Sequence, residues 1–267
     1  MQRRTMLGGL LALASSAAHA ACARPTLRTT PTSRAEPDGL RAICFDLFTL
    51  FDPRSVVFVA EHEVGEKAAG LCELWRARQF QYAFLRAAAR QYRDFRAITE
   101  DALISAAASL DLTLVHTQRE RLVRAYSELS PWPDTREALT RFRDRGLLLA
   151  PLANYAPSML EPLLSNAGLA SMFDCLISTD LARSYKPAPE AYALGERLLG
   201  LPRRQIAFSA FGGWDAAGAR WFGYPTFWVN RLGVASEELA PGPDETGASL
   251  RELEAFVVRR IAPTHAA

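Results

Sequence analysis

The sequence predicts a doubly wound α/β fold, with a mostly parallel sheet and an all-helical insertion after the first strand. Short apolar runs without alternating polarity are typical of strands that are buried on both faces. Amphipathic segments, most of which end in glycine, separate these runs after about residue 130. Residues 55–129 instead show a helical pattern with no strand-like run. Strands that alternate with helices favour parallel pairing.

Five strands are predicted, with a helix in each gap after the insertion. The strands are residues 43–45, 147–152, 175–177, 206–208 and 226–229. The helical segments read "DTREALTRFRDRG", "PSMLEPLLSNAG", "APEAYALGERLLG" and "WDAAGARWFG". Ligands of open α/β sheets bind beyond the carboxyl ends of the strands. Asp46, Asn154 and the segment 209–215 are therefore expected at one crevice.

The insertion is predicted to be a helical cap that closes over this crevice. Its apolar and aromatic side chains recur at helical spacing. They are Leu71, Leu74, Trp75, Tyr82, Leu85 and Tyr92. The expected division is a core of residues 40–54 and 130–256, a cap of residues 55–129 and a C-terminal tail of residues 257–267. A mostly apolar cap also favours a homodimer.

The first residues have the pattern of an export signal. Arg3 and Arg4 precede an apolar segment that ends in Ala18-His19-Ala20, an A-x-A cleavage pattern. This predicts a signal peptide over residues 1–20, and the paired arginines favour the twin-arginine route to the periplasm. The apolar stretch is shorter than the roughly 18 residues of a spanning helix, so no membrane anchor is expected. Residues 21–39 are rich in proline and threonine, which predicts a flexible tether.

Composition argues against several classes of partner and site. The 31 basic and 29 acidic residues are interspersed, which gives no footprint for nucleic acid or an anionic membrane. The cysteines of the folded part form no C-x-x-C pattern and are expected to be buried free thiols. They are Cys44, Cys72 and Cys175. Most histidines lie outside every motif, which argues against a zinc site or a histidine-based triad.

Five segments together resemble the type II (S)-2-haloacid dehalogenases of the haloacid dehalogenase superfamily. They read "FDLFTLFD", "LWRARQFQYAFLR", "ANYAPSMLEPLLSNAGL", "FDCLISTDLARSYKPAPEAYAL" and "WDAAGARWFGYPTFWVNR". The resemblance covers roughly residues 41–256. It implies a Rossmann-like core with a helical cap. It also implies a short 2-haloacid as the substrate, with no cofactor and no metal.

The resemblance also implies roles for individual residues. Asp46 matches the nucleophile that displaces halide and forms an aspartyl ester, although its position alone is equally that of a helix cap or an ion-pair partner. Lys186 matches the lysine that keeps this carboxylate ionised. Arg86 and Asn154 match the residues that hold the departing halide and the substrate carboxylate. The other matches are Tyr192 and Asp215, which orient the lysine and the hydrolytic water, Thr49 of the nucleophile motif, and the apolar walls Phe48, Phe95 and Trp214.

Two further interpretations stay open. A magnesium-dependent phosphatase on this fold would have a second carboxylate two residues after the nucleophile, where this chain has Phe48. A binding protein for small carboxylic acids would explain why polar or flexible residues of the family pattern are missing. The glycine before Thr49 is absent, and Ala153, Ala210 and Gly212 replace residues that are usually polar. These replacements predict that hydrolysis of the ester is the slow step.

Overall fold

The computed structural model describes residues 39–261. The predicted signal peptide, nearly all of the predicted tether and the last six residues lie outside the described residues. The strands are β1 (Ala42–Phe45), β2 (Phe51–Asp52), β3 (Ser130–Pro131), β4 (Leu148–Ala153), β5 (Ile177–Ser178), β6 (Ile206–Ala210), β7 (Thr226–Val229) and β8 (Glu245–Gly247). The α-helices are α1 (Leu47–Leu50), α2 (Ser55–Val64), α3 (Ala68–Ala88), α4 (Phe95–Ser109), α5 (His116–Ala125), α6 (Thr135–Asp144), α7 (Pro157–Asn166), α8 (Pro189–Leu199), α9 (Gly213–Phe222) and α10 (Leu250–Val258).

The main sheet has six parallel strands in the order β5-β4-β1-β6-β7-β8, which confirms the predicted fold class. Side chains of β1 alternate between two hydrophobic cores. Ile43 and Phe45 join the core that contains Phe142 of α6 and Phe256 of α10. Cys44 packs on the opposite face, with side chains of α8 and α9. Both faces are buried, which explains why the strand reads as a continuous apolar run.

Helix ends follow the predicted glycine signals. Gly146, Gly168, Gly200 and Gly223 come directly after or close to the ends of α6, α7, α8 and α9, and each has a positive φ angle. This left-handed conformation is one that glycine adopts without steric cost. These positions therefore stop the helices and turn the chain back towards the sheet.

Some details differ from the expectations. Strand β5 lies at Ile177–Ser178, later than the predicted 175–177, because it pairs only with the last two residues of β4. The core continues beyond residue 256, since α10 runs to Val258 and Leu40 bridges Ile261. Cys44 and Cys72 are free thiols, but Cys175 is disulfide-bonded, so the expectation of three free thiols was wrong.

The insertion consists of α2, α3, α4 and α5, which return to the core through a short antiparallel ribbon of β2 and β3. The predicted apolar face of this cap is only partly buried. Leu71 and Trp75 are fully buried, whereas Leu85 is 58% exposed and Tyr92 lies in the loop after α3. None of the helices in the described part of the chain combines the length and hydropathy of a bilayer-spanning segment.

Candidate active site

Asp46 lies at the carboxyl edge of the sheet, directly after β1. Its backbone N–H donates to the carbonyl oxygen of Ser209 on β6, at 2.8 Å. Its side chain caps α1, because Oδ1 accepts a 2.9 Å hydrogen bond from the N–H of Phe48. The side chain is only 15% exposed. The carboxylate is therefore held in one orientation and is largely removed from water.

The turn after Asp46 is a single helical turn that does not require glycine. The φ angles are −60° at Asp46 and −124° at Phe51, and no residue of the turn has a positive φ. Thr49 is fully buried, and its hydroxyl donates to the backbone carbonyl of Asp46 at 2.7 Å. The hydroxyl of Thr49, a predicted catalytic residue, thus contacts the backbone of Asp46 and makes no described hydrogen bond to its carboxylate. This hydroxyl holds the turn because helical backbone directs it back along the chain.

Lys186 is the centre of a buried charge cluster behind Asp46. Its Nζ donates to Asp46 Oδ2 at 2.6 Å and to Asp215 Oδ2 at 2.8 Å. Burial alone would lower the pKa of Lys186, but the two carboxylates outweigh it and raise the pKa above its usual value. The ammonium group therefore stays charged and favours ionised carboxylates on both sides.

Asp215, in the first turn of α9, is the second carboxylate of the cluster. Its Oδ1 accepts a 2.6 Å hydrogen bond from the hydroxyl of Tyr192. Burial raises the pKa of Asp215 to about 6; Lys186 opposes this increase and the charge of Asp46 adds to it. Both oxygens face protein donors, and the residue is fully buried. The ammonium group of Lys186 therefore bridges the carboxylates of Asp215 and Asp46.

Asn154 follows β4 and contacts the same loop as Lys186. Its Oδ1 accepts hydrogen bonds from the backbone N–H of Lys186 at 2.9 Å and from the hydroxyl of Thr179 at 3.3 Å. The amide NH₂ group is left as a donor, since both bonds go to the oxygen. Asn154 lines the cavity next to Asp46, so this donor is available to a ligand there.

A cavity of about 30 Å³ lies against Asp46, between cap and core. The predicted walls Phe48, Phe95 and Trp214 all line it. The full lining is Asp46, Leu47, Phe48, Arg76, Phe80, Phe95, Ala153, Asn154, Tyr155, Phe211, Gly212 and Trp214. Aromatic side chains make up half of this lining, and a single basic residue belongs to it. The arrangement suits a small organic anion that an ionised carboxylate can reach.

The basic residue of the cavity is Arg76, whereas the predicted Arg86 does not line it. Arg86 lies at the end of α3, where its Nη1 donates to the carbonyl oxygen of Gln91 at 3.1 Å. Ten residues of helix separate the two side chains by about 15 Å along the axis, so both cannot serve one small site. Arg76 stands in the segment "LWRARQFQYAFLR". The segment therefore contains the basic residue of the cavity, and this residue is its first arginine.

Comparisons with known proteins agree with this geometry. A family model described as haloacid dehalogenase-like hydrolase matches residues 40–223. An (S)-2-haloacid dehalogenase from Pseudomonas sp. (strain YL) is 40% identical over 80% of this chain and 93% of its own length. The chain belongs to the (S)-2-haloacid dehalogenase family of haloacid dehalogenase-like hydrolases. Haloacetate dehalogenase H-2 from Moraxella sp. (strain B) is 39% identical over 78% of this chain and 93% of its own length.

One solved structure that is similar to this chain contains a covalently bound haloacid. The L-2-haloacid dehalogenase from Xanthobacter autotrophicus was solved with chloropropionic acid covalently bound. It superimposes with a TM-score of 0.77, at 32% identity, over 82% of this chain and 98% of that chain.

This haloacid dehalogenase-like hydrolase differs from the expected family pattern within its cavity. Ala153 and Gly212 both line it and offer no side-chain hydrogen bond. A Cβ atom at Gly212 would lie 2.7 Å from Nε1 of Trp214, so the indole occupies the space of a side chain at this position. The aromatic lining residues Phe80, Tyr155 and Phe211 were not anticipated. Each of the three lies in a segment that was expected to contribute to the site. Only the folded chain shows which side chains of these segments face the cavity.

Across residues 39–261, no group of three or more His, Cys, Asp or Glu side chains is placed to hold a metal ion.

Proposed function

We propose that this protein hydrolyses short (S)-2-haloacids by displacing halide from C2 through an ester on Asp46. The observation that carries the proposal is the contact of the Asp46 carboxylate with the buried ammonium of Lys186, at the wall of a small aromatic cavity. A desolvated carboxylate that stays ionised is a strong nucleophile. The named activities of the relatives, at up to 40% identity, support this choice of substrate.

In the first step, one oxygen of Asp46 attacks C2 from the side opposite the halide. The carbon–oxygen bond forms as the carbon–halogen bond breaks, and the electron pair leaves with the halide, so the configuration at C2 inverts. Lys186 and the N–H of Phe48 fix the two carboxylate oxygens. Arg76 and Asn154 supply the donors for the anionic groups of the substrate. Halide leaves without a proton, which suits an aromatic residue two positions after Asp46.

In the second step, water attacks the ester carbonyl carbon of Asp46, and the bond from that carbon to the substrate oxygen breaks. The leaving oxygen takes one proton of the water to give the 2-hydroxyacid, the other proton is released, and the carboxylate is restored. Asp215 is the base of the cluster that can take up the proton released. Esterification removes the negative charge of Asp46, which is one cause of the raised pKa of Asp215. The ester therefore favours the ionised, proton-accepting form of Asp215.

Halide release tests the proposal directly. Purified enzyme with (S)-2-chloropropionate should release chloride, whereas the R enantiomer should not react, because attack must come from the side of Asp46. Asp46→Asn should abolish release. Asp52→Asn is the matched control, since Asp52 pairs with Arg54 on the ribbon and lies outside the cavity. Equal activity of Asp46→Asn and wild type would rule out this nucleophile.

The phosphatase alternative is tested in the same assay. Chloride release should persist in excess EDTA, and generic phosphate monoesters should stay intact. Activity that appears only with added magnesium would instead favour a phosphatase, because phosphoryl transfer on this fold needs the metal.

We also propose that the protein is exported to the periplasm by the twin-arginine route. The paired Arg3 and Arg4 and the A-x-A pattern support the proposal. Replacing both arginines by lysine should trap precursor in the cytoplasm. Unchanged export would argue for a different route.

We further propose a homodimer that forms through the cap. Large apolar side chains are exposed on three cap helices: Phe58 on α2, Leu85 on α3 and Ile104 on α4, with Phe58 74% exposed. Phe58→Glu should shift the sedimentation coefficient to that of a monomer. Leu181→Glu changes an equally apolar surface residue of the core and should leave the dimer intact. A dimer that survives Phe58→Glu would place the interface elsewhere.

A further inference from the structure

We propose that the hydroxyl of Tyr155 donates a hydrogen bond to the departing halide, beside the guanidinium of Arg76. The proposal rests on the function proposed above and adds a catalytic residue to it. Tyr155 follows Asn154 in the loop after β4 and lines the cavity. Its side chain is 2% exposed, and its hydroxyl has no hydrogen-bond partner in the structure described for this chain.

An unpartnered buried hydroxyl is exceptional and calls for a reason. Nearly all buried polar groups in folded proteins make hydrogen bonds, and one that does not lowers stability. Other buried tyrosines follow the rule. Tyr126 donates to Gln79 at 2.9 Å, Tyr192 donates to Asp215, and Tyr224 donates to the carbonyl of Tyr192 at 2.6 Å. The missing hydrogen bond of Tyr155 is explained if the substrate brings the acceptor into the cavity.

The hydroxyl of Tyr155 can act only as a donor to an anion in this setting. Burial raises its pKa well above the usual value, and the charge of Asp46 adds to this, while Arg76 opposes it. The phenol therefore keeps its proton over the whole working range of pH. Tyr155 and Arg76 both line the cavity beside Asp46, and both contact the ring of Phe48.

The ring of Tyr155 is packed on three sides, so the hydroxyl cannot swing to another partner. It stacks on Phe95, with ring centroids 5.5 Å apart and planes at 24°. Phe48 and Tyr126 meet it edge-on, at 6.1 Å and 6.4 Å. An acceptor must therefore come to the hydroxyl, and the donor is already in place before the reaction begins.

The surroundings favour halide over the substrate carboxylate as that acceptor. The guanidinium of Arg76 lies 5.8, 5.8 and 5.6 Å from the ring centroids of Phe48, Phe80 and Phe211. Aromatic walls with one hydroxyl and one guanidinium suit a single polarisable, weakly hydrated ion. A carboxylate has about four lone-pair positions to satisfy and needs more donors. Negative charge grows on the halide only as the bond breaks, so this hydrogen bond strengthens in the transition state.

Tyr155→Phe tests the proposal because it removes the hydroxyl and keeps the ring. The rate of the first halide turnover should fall about 10- to 100-fold with (S)-2-chloropropionate, as when one donor to a developing anion is lost. The fall should be clearly smaller with (S)-2-bromopropionate, because bromide spreads its charge over a larger ion and accepts weaker hydrogen bonds. The melting temperature should stay the same or rise, since an unpartnered buried hydroxyl is removed.

Tyr126→Phe is the matched control, because it removes a partnered hydroxyl from the ring that touches Tyr155. It should lower the melting temperature and change both first-turnover rates equally little. An equal loss with both halogens in Tyr155→Phe, or a lower melting temperature with both rates unchanged, would overturn the proposal. Weaker inhibition by propionate but not by chloride would also overturn it, by assigning the hydroxyl to the carboxylate. Wild-type enzyme that releases no halide would instead refute the proposed function itself.

Discussion

Two arginines of α3 show how single residues decide the chemistry of this site. Arg76 and Arg86 stand in the same segment, and the sequence offers no physical reason to prefer one over the other. The folded chain separates them, because only Arg76 faces the cavity and three aromatic rings surround its guanidinium. Helical spacing alone does not predict which arginine faces the core, since that depends on how the cap is seated.

Substitution by lysine should separate these two residues. Arg76→Lys should lower kcat/KM about 100-fold or more, because an ammonium cannot reproduce the planar set of donors facing the substrate. Arg86→Lys should stay within about twofold of wild type, since Arg86 donates to a backbone carbonyl outside the cavity. Steady-state kinetics of both variants with (S)-2-chloropropionate measures this difference. A larger loss for Arg86→Lys would contradict the site described here.

Because the pKa of Asp215 is raised, we expect kcat/KM and kcat to depend on pH in different ways. In the free enzyme Asp215 should take up a proton near pH 6, because burial raises its pKa to about 6, and Lys186 then loses one of the two carboxylates that hold its ammonium group beside Asp46. The value of kcat/KM should therefore fall as the pH drops below about 6. Once Asp46 is an ester its repulsion is gone, so the pKa of Asp215 decreases. The acid limb of kcat should lie at lower pH than that of kcat/KM, and the reverse order would refute this role.

At the level of elements, the sequence predicts five strands of the main sheet and misses β8 and the two strands of the ribbon, β2 and β3. The apolar runs of β1, β4, β6 and β7 are long enough to be recognised, because both faces of each are buried. Strand β8 is a three-residue edge with no apolar run, and the ribbon of β2 and β3 has two residues per strand. Such elements depend on pairing with distant residues, so local pattern carries no signal for them.

The helical turn α1 changes the meaning of the missing glycine. The four residues of α1 bring Thr49 back to Asp46. The hydroxyl and the backbone N–H of Thr49 both donate to the backbone carbonyl of Asp46. The side chain of Trp132 donates to the carbonyl of Phe48 at 3.0 Å, and Arg231 donates to that of Thr49 at 2.9 Å. The nucleophile is therefore presented by a short helix that the rest of the core supports.

Thr49→Val should test this supporting role. Loss of the buried hydrogen bond should lower the free energy of unfolding by about 1 kcal/mol. The rate of halide release should fall less than about tenfold, because the hydroxyl does not contact the carboxylate. Thr49→Ser keeps the hydroxyl and should retain more of the stability in denaturant titrations. A loss of activity above about 100-fold with unchanged stability would show that Thr49 is catalytic after all.

At the scale of the whole molecule, the site is complete only where cap and core meet. Arg76, Phe80 and Phe95 come from cap helices, whereas Asp46 and Trp214 belong to the core. Hydrogen bonds also cross this junction. Tyr92 of the cap donates to Asp180, and Tyr185 of the core donates to the carbonyl of Arg93. Sequence alone predicts both parts, but it does not predict their contacts, which join residues far apart in the chain.

The most direct test of the account is the mass of the enzyme during turnover of (S)-2-chloropropionate. Ala153 and Gly212 offer no side-chain donor to a hydrolytic water, so the ester should accumulate. Acid-quenched samples should show one propionate ester per chain, on the peptide that contains Asp46, with a matching burst of chloride. Asp46→Asn should show neither. Chloride release from a chain that stays unmodified at every quench time, with no burst, would contradict the ester on Asp46 as the slow intermediate.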